Sequence, residues 1–135
     1  MDFTAILDLG RETKATQMNV EEIREYCLSK KGVTEGFPFD DTALVFKVAG
    51  KMFALLDLSE ESRGLSLKCD PDLALELRER YPEVTPAYHF NKKHWNGINL
   101  KSGLDSYLIK EWIDHSYHIT ASKLPKKTQE DMGFK

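Results

Sequence analysis

Two runs of alternating apolar residues, joined by two small ones, constrain this chain more than any other feature. Leu44, Phe46 and Val48 alternate toward Ala49-Gly50, and Met52, Ala54, Leu56 and Leu58 alternate away from it. Successive strand side chains point to opposite faces, so a period of two predicts an antiparallel hairpin with one buried face. Leu65, Leu67 and Cys69 repeat the pattern after a polar loop over Ser59 to Gly64, which predicts a third strand.

Helical signals bracket these strands. Asn19 followed by Glu22 is a capping-box pattern, and Met18 and Ile23 stand where a hydrophobic staple belongs. A helix is predicted from Val20 to Lys31, burying Val20, Ile23 and Cys27 and ending at Gly32. Asp70-Pro71 opens a second helix, with Asp as cap and Pro at the first position. Its apolar face is Leu73, Ala74, Leu77 and Tyr81, and Pro82 stops it. Val84 to Phe90 is strand-like but confined by Pro86 to an edge, and Trp95 to Leu100 reads as another strand. The last helix is predicted over Leu104 to Thr120, with Ser102 and Asp105 resembling a capping pair and Leu124-Pro125 ending ordered structure or beginning a tail. The order α-βββ-α-ββ-α implies an α+β fold, an antiparallel sheet with flanking helices.

The length, 135 residues, suits one domain. Residues 1–17, with an apolar cluster at Phe3, Ile6, Leu7 and Leu9, read as an extension or leader; 18–127 is the expected domain and 128–135 a tail. With 41% hydrophobic and 30% charged residues the chain has ordinary globular composition. No apolar run reaches the length of a membrane span and no signal-peptide pattern opens the chain, so cytoplasm is the expected location. Cys27 and Cys69 lie in apolar patterns with no paired-cysteine motif, and are expected to be buried, reduced thiols.

No phosphate-cradling glycine loop and no nucleophile elbow occurs, and no catalytic residue, cofactor or metal is assigned. Glu111, His115 and His118 could share a helix face, and Glu21, Glu22 and Glu25 form an acidic ridge, but both patterns suit a solvated face. The segment from Pro86 to Lys101 is the most unusual stretch. It carries Lys92, Lys93 and Lys101, interleaves them with Tyr88, Phe90 and Trp95, adds His89 and His94, and contains no acid. Cations beside aromatic rings suit phosphates and bases, while the plainer alternative is a hairpin whose rings fill the core. Lys123, Lys126 and Lys127 make a second basic cluster at what is expected to be a solvated terminus. The net charge of −3 argues mildly against a nucleic-acid partner.

Several short motifs occur together in order: Gly50-Lys51-Met52-Phe53, Leu67-Lys68-Cys69-Asp70-Pro71, Tyr88-His89-Phe90-Asn91-Lys92 with His94-Trp95, Ser116-Tyr117, and Leu124-Pro125-Lys126-Lys127. Over Met18 to Lys127 the set resembles the MmcQ/YjbR family. The resemblance implies a frataxin-like (CyaY-like), secretion-chaperone-like fold of the double-wing type, often described as DNA-binding, and offers no catalytic residue to carry over. The matching polar positions are Lys68, His89, Asn91, Lys92, His94 and Trp95.

The leading expectation is a non-enzymatic double-stranded-DNA-binding module. Lys92, Lys93 and Lys101 would contact phosphates, helped by Lys68, Lys126 and Lys127, with His94, Trp95 and Asn96 at the tip or in the groove. The alternatives are a protein-interaction adaptor that accepts a partner strand near Pro86, and a small-ligand or metal site built on His89, His94, His115 and His118. The chain is expected to be a monomer or weak homodimer.

Overall fold

The computed structural model describes residues 18–59, 64–87 and 90–134. The leader 1–17, and Tyr88 and His89, lie outside the described residues. Helix α1 (Val20–Leu28) carries both halves of the capping box: the Glu22 N–H donates to Asn19 Oδ1 at 2.8 Å, and the Asn19 N–H to Glu22 Oε1 at 3.0 Å. It stops at Leu28 rather than Lys31. The chain then turns through Gly32, whose φ of 76° favours glycine, into a strand absent from the expected order, β1 (Val33–Gly36). Its four residues, VTEG, carry no apolar alternation. Glu35 pairs with Phe46 across the ladder, and Arg24 Nε of α1 donates to Glu35 Oε1 at 2.7 Å.

Strands β2 (Ala43–Val48) and β3 (Lys51–Asp57) form the predicted hairpin. Ala49 and Gly50 both have positive φ, 49° and 85°, the combination that matches a two-residue turn to the twist of its strands. A bulge interrupts the alternation: Phe46 pairs with Ala54 but Lys47 with Met52. The extra residue, Phe53, therefore joins Ala54 on the buried side. Strand β4 (Gly64–Lys68) follows, then helix α2 (Pro71–Arg80), β5 (Val84–Pro86), β6 (Trp95–Asn99), a 3-10 turn (Leu100–Ser102), helix α3 (Ser106–Ser122) and helix α4 (Lys126–Asp131). The observed order is thus α-ββββ-α-ββ-α-α. Asp70 and Asp105 cap α2 and α3 by accepting backbone N–H bonds. Ordered structure continues past Pro125, which stands at the N-cap position of α4 without a side-chain capping bond, and Met132 and Phe134 beyond α4 pack on the core.

The six strands form one antiparallel sheet in the order β1-β2-β3-β4-β6-β5. Pro86 stands in β5 at the sheet edge, where its missing N–H is harmless. Leu44, Leu56, Leu65, Ile98 and Val84 form one row across the sheet, and Phe46, Ala54, Leu67 and Asn96 the next. Both rows face the helices, where Ile23, Cys27, Ile109, Trp112, Ile113 and Tyr117 complete the core. Each large apolar side chain buried there contributes about 1.5–3 kcal/mol. The opposite face, along Val45, Leu55, Ser66, Gly97 and Thr85, has no helix on it among the described residues.

Candidate nucleic-acid interface

The ladder shows which lysines meet. Lys68 ends β4 opposite Trp95, and the next rung is a bond from the Cys69 N–H to the His94 carbonyl at 2.7 Å. Lys92 and Lys93, both exposed, precede that rung in the turn where Asn91 Oδ1 accepts the Lys93 N–H at 2.8 Å. Lys51 starts β3 at the same end of the sheet, because Ala54 pairs with Leu67 and the strands run antiparallel. The C-terminus of α3 brings Lys123 to this end. Burial, then the charges of Lys123 and Lys51, push the Lys68 ammonium below its ordinary pKa. Lys126 and Lys127 follow on α4, both exposed, with Lys127 3.9 Å from Asp131.

Three expected members do not join this group. Lys101 follows Asn99, which pairs with Gly64 at the far end of the ladder. At roughly 3.3 Å per residue, four residues of β6 alone put about 13 Å between that end and Trp95. Trp95 and Asn96 are 7% and 3% exposed, so neither reaches a groove. Trp95 stacks on Phe90 with ring centroids 4.4 Å apart. Asn96 lies on the helix side of β6, where its Oδ1 accepts from Arg78 Nε at 2.7 Å and its Nδ2 donates to the Ala74 carbonyl at 3.3 Å. Arg78 also donates to the Lys92 carbonyl, which ties the lysine turn to α2. Alternation alone could not tell a polar residue with a buried partner from one facing water. His94 is half-buried and Asn91 exposed, while His89 lies outside the described residues.

Among the described residues His94, His115 and His118 do not converge on a metal site. His115 Nε2 accepts the Asp70 N–H at 3.1 Å, whereas Glu111 accepts from the Tyr107 hydroxyl at 3.1 Å. Among the described residues no group of three potential ligands is suited to a metal ion. Burial pushes the Cys27 thiol up to about 12 and the Cys69 thiol up to about 11, away from the thiolate a nucleophile needs. No helix among the described residues is long and apolar enough to cross a membrane.

The YjbR family model matches residues 28–119. The chain belongs to the YjbR family. It is 32% identical over 113 residues to the Escherichia coli K12 protein named "Uncharacterized protein YjbR", covering 84% of this chain and 96% of that one. It is 35% identical over 97 residues to "Uncharacterized protein YbdF" of Escherichia coli O157:H7, covering 70% and 77%. The crystal structure of Deinococcus radiodurans protein DR2400, described as a DUF419 domain, superposes with a TM-score of 0.80 at 35% identity, over 87% of this chain and 90% of that one. A Pseudomonas syringae protein superposes with a TM-score of 0.66 at 28% identity, over 76% and 99%.

In this YjbR-family chain several of the motif residues that carried the resemblance build the fold. Asp70 caps α2, Trp95 braces Phe90, and the Tyr117 hydroxyl donates to the Lys31 carbonyl. The Ser116 hydroxyl donates to the Phe53 carbonyl and accepts the Lys68 N–H. Lys51, which sequence reading leaves out of the site, belongs to the first of these motifs. Its signal was its place one residue beyond the hairpin turn.

Proposed function

We propose that this YjbR-family chain is a non-enzymatic nucleic-acid-binding module that meets the phosphate backbone of duplex DNA with the lysine-rich end of its sheet. The supporting observation is the convergence there of Lys51, Lys68 and Lys123 from β3, β4 and α3. Lys92 and Lys93 extend the same end. Part of this charge complements the negative C-terminus of α3. The remainder leaves a local positive field on a chain whose net charge is −3, so approach to a polyanion is oriented rather than general.

Fluorescence anisotropy of a labelled duplex at two salt concentrations tests the reading. With about four phosphate contacts, log affinity falls against log salt with a slope of roughly −3 to −4. Lys51→Glu combined with Lys123→Glu abolishes binding, while Lys101→Glu at the far end leaves it nearly intact. Absence of binding near 50 mM salt, or equal binding by the double variant, rejects the proposal.

A further inference from the structure

The helix-free face of the sheet holds a groove of about 350 Å³ lined by Phe39, Asp40, Thr42, Leu55, Ser66 and Phe90, among others. Its walls differ in kind from its floor. Phe39 is 62% exposed, an unusual position for a large ring. Phe90 lines the same groove and is held by its stack on the buried Trp95. The floor is Leu55, and beyond its buried ladder partner Val45 the half-exposed Phe37 stands with Pro38 at a neighbouring depression. Apolar surface thus continues from the groove toward the β1 edge.

The charge that the described residues bring to the groove is negative. Asp40 Oδ1 accepts the Thr42 N–H at 2.9 Å, the Ala43 N–H at 2.8 Å and the Thr42 hydroxyl at 3.2 Å. These bonds hold its carboxyl below the ordinary carboxylate range, so it is ionised at neutral pH. Oδ2 has no partner among the described residues, and Asp41 adds a second acid beside it. Asp57 also lines the groove, and among the described residues no cationic side chain does.

We propose that this groove seats a cationic side chain of an extended partner peptide, an arginine above all, between Phe39 and Phe90 and against Asp40. Aromatic faces attract cations, and a planar guanidinium can stack on a ring while it pairs with a carboxylate. The adjoining Phe37, half-exposed, selects a peptide over a free amine, because it offers a place for an apolar neighbour of the cation. A phosphate backbone would be repelled by Asp40, so this surface is distinct from the lysine end.

The test uses the full chain, labelled with nitrogen-15, and the peptide acetyl-Ala-Leu-Arg-Leu-Ala-amide beside its citrulline counterpart, which keeps the shape and loses the charge. The expected result is binding with amide shifts centred on Asp40, Leu55 and Phe90, and about fivefold weaker binding of the citrulline peptide. Phe39→Ala removes an exposed ring and leaves folding intact, and Asp40→Asn keeps the turn acceptor while removing the charge; each weakens the arginine peptide by about the same factor. Equal binding of both peptides, shifts centred elsewhere, or no binding up to about 1 mM peptide overturns the proposal. So does Phe39-dependent binding of a labelled oligothymidylate in the same groove, or a dimer that Phe39→Ala dissociates.

Discussion

The Ser116 hydroxyl of α3 donates to the Phe53 carbonyl of β3 at 2.6 Å, across 63 residues of sequence. The same oxygen accepts the Lys68 N–H of β4 at 2.9 Å. Beyond the Ala54–Leu67 rung, β3 and β4 no longer pair, because the bulge diverts β3 there. A fully buried serine supplies the missing partners. Ser116→Ala strands two backbone groups, and destabilises the fold by about 1–3 kcal/mol for each group left unmet. Urea unfolding measures the loss; a change below about 0.5 kcal/mol would show that the strands find other partners.

Asn96 separates a structural role from a binding one. Asn96→Ala removes the acceptor for Arg78 and the donor to the Ala74 carbonyl, and lowers stability by about 1–3 kcal/mol. Duplex affinity per folded molecule, measured with the salt titration, stays within about twofold of the parent, since a change of 0.4 kcal/mol or so is all that loosening the Lys92 turn transmits. A large loss of affinity with unchanged stability would place Asn96 at the interface.

His115 makes stability depend on pH. Burial, the largest influence, lowers its pKa below the ordinary 6.5, with nearby Asp70 opposing and His118 reinforcing the shift. Its Nε2 can accept the Asp70 N–H only when unprotonated. A depressed folded-state value means that the unfolded chain binds the proton more readily. The contribution is therefore complete above pH 6.5 and is lost as pH falls through the lower folded value. Urea midpoints measured from pH 7.5 to 5 should decline in the parent and decline less in His115→Gln, whose amide oxygen can accept the same bond at any pH. Parallel profiles would exclude His115 as the source.

The hairpin turn carries a correctable strain. Ala49 holds φ 49° beside Gly50 at 85°. Ala49→Asn, which tolerates this conformation, should stabilise by about 0.5–1 kcal/mol. Gly50→Ala should destabilise by about 1 kcal/mol for conformational reasons alone, because a Cβ at Gly50 meets no atom within 4 Å. Thermal unfolding of the two variants should shift in opposite directions, and shifts of the same sign would contradict the turn assignment.

The local elements were legible because their causes are local. The capping box at Asn19, the Asp70-Pro71 start of α2, the alternation of Leu44, Phe46 and Val48, and the edge position of Pro86 each follow from the bonds and angles of a few neighbouring residues. Those signals determined an α+β chain with an antiparallel sheet, and the ordered motifs pointed to its family. What they could not determine involves partners distant in sequence. Strand β1 hides in VTEG because its register comes from β2 and its glutamate is answered by Arg24 of another element. Phe53 turns inward because a bulge adds a residue to one strand, and Asn96 because Arg78 and the Ala74 carbonyl receive it inside. The gathering of Lys51, Lys68 and Lys123, and the separation of Lys101 from them, were decided by antiparallel pairing and by where α3 ends. Residue types set what each segment can do locally, whereas charges and rings from different segments become one surface only when the sheet fixes their distances.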